Sequence, residues 1–382
     1  MPQPIYLDYN ASTPIAPEVL EVMTAVFREV HGNPLSTHAF GVAARRVVEA
    51  ARAEVAASIG AEPDEIVFTS GGTESNNAAI HGVAEAAADR GRHLVVTAIE
   101  HASVEQACQV LEQRGWGVTR VPVDPTGVID PRAIESAIRP DTVLVSVMHA
   151  NNETGVIQPV AAAARAAHAK GVVIHTDAAQ SVGKIRVNVR ELDVDLLSIA
   201  GHKLYAPQGV GALYLRRGTP FRPLLCGAGH QNNRRSGTEN VALSAALGAA
   251  CALASVALES WREHAQAMRD RLENKLREAF PSLIVHGAEA KRLPNTLYAA
   301  LPGIDANELL ARLDGVATGT GAACHSGKAN PSKVLLAMGV KAEIARATLR
   351  LTTGRPTTAG EIDDAAARIV AAVKAGAGSP SA

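Results

Sequence analysis

The stretch VDLLSIAGHKLYAPQGVGALYLR (194–216) indicates the fold of this chain. Two nearly continuous apolar runs, 194–200 and 211–216, flank a turn that carries Lys203. Such runs are typical of strands buried on both faces of a sheet. A lysine in a partly apolar turn has a lowered pKa and can form a Schiff base. The alternative, an ordinary surface lysine, is less favoured because His202, Tyr205 and several glycines crowd the turn.

The same pattern continues along the chain on both sides of this stretch. Apolar residues at helical spacing predict helices over 18–30, 38–59 and 73–90. Short apolar runs between helical segments predict further strands over 65–70, 93–99, 117–123, 142–150 and 171–177. Alternation of strands and helices predicts an α/β fold with a mainly parallel sheet covered by helices.

A smaller C-terminal domain is expected after the sheet. A long helical stretch, 239–280, ends at Pro281, and strands are predicted over 282–287 and 296–301. We expect a large domain over 15–260 and a small α+β domain built from 1–14 and 261–382.

Composition narrows the functional classes. The 382 residues include 37 basic and 38 acidic side chains without a basic block, which argues against a nucleic-acid surface. We expect no apolar run of membrane-spanning length and no secretory signal in MPQPIYLDYN (1–10). The cysteines are far apart and lack CxxC spacing, so we expect no disulfide framework, no metal site and a reducing cytoplasm.

Two strand ends carry residues suited to an anionic ligand with a cationic nitrogen. In FTSGGTESNN (68–77) a strand breaks at two glycines before a helix, where free N–H groups can bind a phosphate. In HTDAAQ (175–180) Asp177 follows a strand and can hold a cationic nitrogen. Taken singly, each motif is better explained as a turn or a helix cap.

Two more motifs carry reactive or binding groups. TGTGAACHSGKANPSKVL (318–335) places Cys324 among small residues near His325 and Lys328, which favours a reactive thiolate. Cys108 and Cys251 fit core positions instead, and Cys226 stays ambiguous. LRLTTGR (349–355) offers Arg350 as a bidentate clamp for a carboxylate, although without further context a surface salt-bridge arginine is the favoured interpretation.

Together the motifs resemble the cysteine desulfurase family, the class V branch of the fold-type I pyridoxal-phosphate (PLP) enzymes. The resemblance runs along nearly the whole chain and in one order. It is carried by YLDYNASTP (6–14), HGNP (31–34), FTSGGTESNN (68–77), EHASV (100–104), HANNETG (149–155), HTDAAQ (175–180), GHKLYAPQGVGALY (201–214), RRSGTEN (234–240), GAACHSG (321–327) and LRLTTGRPTT (349–358).

The resemblance implies a role for each matching residue. Lys203 would hold PLP covalently and act as a base, His101 would stack on the ring and move protons, and Cys324 would be the nucleophile. The other cofactor ligands would be Gly72, Thr73, Asn152, Asp177, Gln180, His202 and, from a partner subunit of a homodimer, Thr238. Asn152 and Arg350 would bind the substrate carboxylate.

The implied reaction converts L-cysteine to L-alanine and leaves the sulfur on Cys324 as a persulfide for an acceptor protein. Three departures from the family pattern bear on it: Ala200 replaces a common serine, His325 follows Cys324, and Ala206 and Gln208 replace glycine and lysine.

These departures keep other activities open. GAACHS and Ala200 are similar to selenocysteine lyases, which act on L-selenocysteine, whereas Pro331 matches long-loop desulfurases that supply iron–sulfur scaffolds. A PLP aminotransferase and a non-catalytic scaffold are the alternatives from other classes.

Overall fold

The computed structural model describes residues 4–321 and 331–377. The strands are β1 (Ile5–Tyr6), β2 (Ile66–Thr69), β3 (His93–Thr97), β4 (Gly117–Val121), β5 (Thr142–Ser146), β6 (Val173–Asp177), β7 (Leu196–Ala200), β8 (Gly211–Leu215), β9 (Ile284–Val285), β10 (Thr296–Ala300), β11 (Val316–Ala317) and β12 (Thr348–Thr352). The helices are α1 (Pro17–Glu29), α2 (Ala39–Ile59), α3 (Gly72–Ala86), α4 (Ala102–Gln113), α5 (Pro131–Ala137), α6 (Val160–His168), α7 (Val189–Leu192), α8 (Val241–Ala279), α9 (Ala306–Arg312), α10 (Lys333–Ala337), α11 (Ala342–Arg346) and α12 (Ala359–Ala377). Short 3₁₀ turns cover Pro63–Glu65, Gly201–Lys203 and His230–Asn233.

A seven-stranded sheet forms the centre of the larger part of the molecule. Its strand order is β2-β8-β7-β6-β5-β3-β4. All pairs are parallel except those made by β8, which runs antiparallel to both β2 and β7. Only ten residues, 201–210, connect β7 to β8, and a connection that short does not make a helical crossover between parallel strands. The predicted α/β fold with a mainly parallel sheet is confirmed.

The sheet is covered on both faces, which explains its apolar strands. Every residue of β3, β5, β6, β7 and β8 is buried. Two apolar clusters account for this. One joins α2, α6 and α8 to the sheet, and the other joins α3 and α4 to it.

A second, separate core lies in the C-terminal part and includes the N-terminal strand. Its members include Ile5 and Leu7 together with Leu272, Leu297 and Ile369. A three-stranded antiparallel sheet, β12-β10-β9, and the parallel pair β1-β11 accompany this core. This packing supports a small domain built from 1–14 and 261–382, which stays a prediction. Helix α8 runs without a break through the predicted boundary at 260.

Helix α8 contradicts the expectation that no apolar run reaches membrane-spanning length. By length and composition it could cross a membrane. Half of its apolar window is buried inside the protein, where Ala246, Leu247 and Cys251 join the main core. The core helix of a soluble protein passes the same test, so this helix is weak evidence for a span.

Candidate active site

The predicted site residues follow different strands but lie at one edge of the sheet. Strands β2, β3, β5, β6 and β7 all point the same way. Their carboxyl ends therefore meet at one edge, where ligands bind in open α/β sheets. Asp177 is the last residue of β6. The residues that follow the other four strands are, in the same order, Gly72 and Thr73, His101, Asn152 and Lys203.

The start of helix α3 forms a cradle for an anion. Gly71, just before it, has a φ of +149°, which a side chain would strain. A Cβ on Gly72 would lie 3.1 Å from the Ala200 Cβ, so the helix start packs closely against the end of β7. Thr73 is exposed there. The free N–H groups and the dipole of a 15-residue helix favour a bound phosphate at this position.

An acidic side chain in the first turn of α3 is neutralised. Glu74 accepts from the Ser70 N–H at 2.8 Å and pairs with the Arg235 Nε at 2.9 Å. Burial raises the pKa of Glu74, but the bonds from Arg235 and Ser70 outweigh it, so its pKa is lowered. Arg235 belongs to the segment that carries Thr238, and Thr238 itself is exposed.

A chain of hydrogen bonds joins Asp177 to His101. The Asn76 Nδ2 donates to Asp177 Oδ2 at 2.7 Å and to Ser103 Oγ at 2.8 Å. The Ser103 Oγ lies 2.7 Å from the His101 Nδ1, and the Ser103 N–H also donates to that nitrogen at 3.1 Å. The second carboxylate oxygen, Asp177 Oδ1, accepts from the Ala179 N–H at 2.9 Å.

The hydrogen bonds from Ser103 fix the tautomer of His101. Because the Ser103 N–H donates to Nδ1, that nitrogen is an acceptor and the ring proton of the neutral imidazole is on Nε2. Burial lowers the pKa of His101, opposed by Asp177 and reinforced by Lys203. His101 therefore presents an Nε2–H group near neutral pH.

Lys203 ends the 3₁₀ turn after β7. Burial lowers its pKa, Asp177 acts in the opposite direction, and Arg350 adds to the lowering. The turn is fixed from the N-terminal segment, because Thr13 donates through its N–H and its Oγ1 to the His202 carbonyl at 2.8 and 3.0 Å. The His202 Nδ1 lies 3.3 Å from the Ser12 Oγ.

Arg350 is buried, with 7% of its surface exposed, and lies on β12 of the small sheet. Its guanidinium donates to Asp8 Oδ1 at 2.7 Å and to the Asn152 carbonyl at 3.1 Å. Its Nε has no partner in the described part of the chain. The guanidinium therefore has N–H capacity left for a carboxylate.

Cys324 lies outside the described residues, as do His325 and Lys328. Gly321, three positions before Cys324, is described: a Cβ on it would lie 3.4 Å from the Arg350 Cβ. Of the other cysteines, Cys108 and Cys251 are buried, and burial raises the pKa of each thiol to about 12. Cys226 is exposed.

Several residues of the site were not predicted from the sequence. Asn76 and Ser103 lie within quoted motifs, but only their contacts show a role. Asp8 and Asn10 come from the N-terminal segment, and Lys184 lies four positions after Gln180 in the turns that follow β6. In residues 4–321 and 331–377 there is no group of three side chains that could hold a metal ion.

Comparison with known proteins identifies the family. The class-V aminotransferase model matches residues 5–364. Cysteine desulfurase IscS of Dictyoglomus turgidum (strain DSM 6724 / Z-1310) is 43% identical over 365 residues, 95% of this chain and 93% of that protein. Two solved structures are also similar. A NifS-like protein has a TM-score of 0.91 and 36% identity, covering 97% of this chain and 100% of its own. SspA in complex with cysteine has a TM-score of 0.81 and 34% identity, covering 91% and 98%.

These matches agree with the order of motifs and with the fold. The chain belongs to the class-V aminotransferase family and, within it, to the cysteine desulfurases.

Proposed function

We propose that this chain is a PLP-dependent cysteine desulfurase that converts L-cysteine to L-alanine and transfers the sulfur to Cys324 as a persulfide. The observation that carries the proposal is the hydrogen-bonded chain from Asp177 through Asn76 and Ser103 to His101, beside Lys203. A buried carboxylate, a neutral imidazole and a lysine of lowered pKa form a set suited to proton transfer at the carbon next to an amine.

The side chains at the sheet edge fit PLP. The cradle at Gly72 and Thr73, with His202 nearby and Thr238 from a partner subunit, would hold the phosphate. Asp177 would hold the pyridine nitrogen in its cationic form, because a buried carboxylate favours a positive neighbour. Gln180 would contact the ring oxygen, His101 would lie against the ring, and Lys203 would hold the aldehyde carbon.

When bound, PLP supplies an electron sink for the charge left when a proton leaves the substrate α-carbon. The Lys203 Nζ, whose pKa is lowered by burial, would take and return that proton. The His101 side chain would move protons through its Nε2–H group. Arg350 and Asn152 would hold the substrate carboxylate and so orient its α-carbon.

The sulfur step needs no outside oxidant. The substrate Cβ–Sγ bond breaks, an S–S bond to the Cys324 sulfur forms, and a proton replaces sulfur on the substrate Cβ. The products are L-alanine and a Cys324 persulfide, which holds the transferred sulfur for an acceptor protein. Gly321 lies beside Arg350, which supports the proposal that the Cys324 segment serves this site.

The test measures alanine formed from L-cysteine and from L-selenocysteine by the wild type and by Cys324→Ala, with Cys226→Ala as the control. We expect the wild type to consume L-cysteine, Cys324→Ala to lose that activity, and Cys226→Ala to keep it. Near-exclusive use of selenocysteine would favour a selenocysteine lyase. Oxo-acid-dependent amino exchange that Cys324→Ala does not affect would favour an aminotransferase.

We propose that the enzyme is a cytoplasmic homodimer in which Thr238 completes the partner's phosphate site. Two observations support this. Thr238 is exposed in the described chain, and Arg235, three positions before it, pairs with Glu74 at the start of α3, beside the proposed phosphate site. The described cysteines are unpaired, which suits a reducing compartment. Mixing inactive Lys203→Ala with a weakly binding Thr238→Val variant should restore activity, because one mixed site keeps both native residues. Absence of any recovery would argue against a shared site.

A further inference from the structure

Lys184 is a partly buried lysine that makes no ion pair in the described part of the chain. Its Nζ donates to Gln180 Oε1 at 2.7 Å and to Asn10 Oδ1 at 2.8 Å. Both acceptors are amide oxygens, so the contacts orient groups and do not neutralise a charge. Burial lowers the pKa of Lys184 well below the usual range, and the nearby Lys203 and Arg350 lower it further. An amine held between two amide oxygens, with no carboxylate among its described contacts, calls for a reason.

The partners of Gln180 leave only one orientation for its amide. A lysine nitrogen donates, so it must face the Gln180 oxygen. The Asn10 carbonyl only accepts, and the Gln180 Nε2 donates to it at 3.0 Å. These two contacts agree, and they leave the second Nε2–H as the donor without a partner among the described residues. Gln180 is itself 2% exposed, so that donor is buried within the protein.

We propose that Lys184 is a positioning residue that holds Gln180 so that its amide presents an N–H, rather than its oxygen, to the anionic ring oxygen of PLP. This deepens the proposed function and rests on it. Without Lys184, only the Asn10 carbonyl would hold the amide in this orientation. A turn by 180° about the last bond, which would offer an oxygen to the anionic ring oxygen, would then be less disfavoured.

Asn10 extends this arrangement to the substrate side. Its Oδ1 accepts from Lys184, its carbonyl accepts from Gln180, and its Nδ2 donates to the Asn152 carbonyl at 3.3 Å. The same Asn152 carbonyl accepts from Arg350. The contacts among Lys184, Gln180 and Asn10 therefore connect the proposed cofactor site to the proposed clamp for the substrate carboxylate.

The experiment compares PLP bound to the wild type, to Lys184→Met and to Lys374→Met, a control lysine that is exposed near the end of α12. For Lys184→Met we expect the Kd of PLP to rise about fivefold, the effect of one hydrogen bond. We also expect the pH midpoint between the two absorbing forms of the bound cofactor to rise, because the ring oxygen loses a donor that stabilises its anion. Lys374→Met should match the wild type in both measurements.

A double-mutant comparison separates positioning from a general structural role. In a Gln180→Ala background there is no amide to orient, so Lys184→Met should no longer move the pH midpoint. A midpoint shift of the same size in that background would overturn the positioning role. So would a wild-type-like midpoint and Kd for Lys184→Met on its own.

Folding and the proposed function are checked in the same samples. Replacing the amine by an apolar side chain removes a desolvation cost but leaves the Gln180 Oε1 without its donor, so we expect the unfolding midpoint to change little. If Lys184→Met does not fold, Lys184→Gln, whose shorter side chain does not reach both oxygens, takes its place in every comparison. Wild-type protein that binds no PLP would overturn the proposed function itself, whereas PLP binding unchanged by the variants would overturn only the role of Lys184.

Discussion

The Asn76 side-chain amide lies 2.7 Å from Asp177 Oδ2 and donates a hydrogen bond to it. The same nitrogen also donates to Ser103, so both of its N–H groups are used. Asp177 is 5% exposed and therefore depends on protein donors instead of water. Asn76 thus holds the carboxylate in place and links it to the group that orients His101.

Replacing Asn76 by alanine should weaken cofactor binding. The buried Asp177 would lose a charge-assisted hydrogen bond, and we expect the Kd of PLP to rise about tenfold or more. Fluorescence or absorbance titration with PLP measures this. Gln106→Ala is the control, because Gln106 is an exposed amide on α4, three positions after Ser103. Equal affinities in the wild type and Asn76→Ala would contradict the prediction.

Replacing Ser103 by alanine should affect turnover more than substrate binding. His101 would keep the Ser103 backbone donor but lose the hydroxyl that links it to Asn76. We expect kcat to fall about tenfold, because a positioned acid–base group becomes less well oriented, and KM to change little. Ser103→Thr keeps a hydroxyl and should recover most of the activity. A pure KM effect, or no difference between the two variants, would count against this role.

Replacing Arg350 by lysine should raise KM for L-cysteine. Lysine cannot reproduce the planar fork that contacts Asp8 and the Asn152 carbonyl and that would also hold the proposed substrate carboxylate. We expect an increase of about 10- to 100-fold in KM, the value of charge-assisted hydrogen bonds. Arg346→Lys, an exposed change four residues earlier on α11, is the control. An unchanged KM for Arg350→Lys would argue that the substrate carboxylate binds elsewhere.

Glu100 should make stability depend on pH. Burial raises its pKa from 4.5 to about 8, against the lowering effect of bonds from Thr97 and Met148. Between these values the folded protein holds a proton that the unfolded chain has lost. Glu100 therefore lowers the free energy of unfolding progressively as the pH rises from about 4.5 to about 8.

The Glu100→Gln variant tests the direction in which Glu100 changes the free energy of unfolding with pH. Glutamine can accept the same two bonds without ionising, so we expect the variant to gain on the order of a few kcal/mol over the wild type at pH 8 and little below pH 4.5. Burial lowers the pKa of His149 and His175 to about 4, which changes stability in the opposite sense at acid pH, but both proteins share that effect. Denaturant unfolding across the pH range gives the difference, with the exposed Glu263→Gln as control. A gain that did not grow with pH would show that Glu100 is ionised in the folded protein.

Much of the site could be predicted because it follows from the strands. In a parallel sheet, residues far apart in sequence but placed just after strands meet at one edge. The apolar runs therefore located Asp177, Lys203 and the helix start at Gly72 from the sequence. The antiparallel direction of β8 was not predicted, although the ten-residue connection before it carries the signal.

The sequence by itself determined the strand and helix order, the family and the chemical type of each site residue, because local apolar patterns and motifs encode them. Only the tertiary structure decided which polar groups meet. Asp8 reaches Arg350 across 342 positions and Gln180 reaches the Asn10 carbonyl across 170. The orientation of an amide and the tautomer of an imidazole depend on which donors and acceptors surround them, and folding alone brings those partners together.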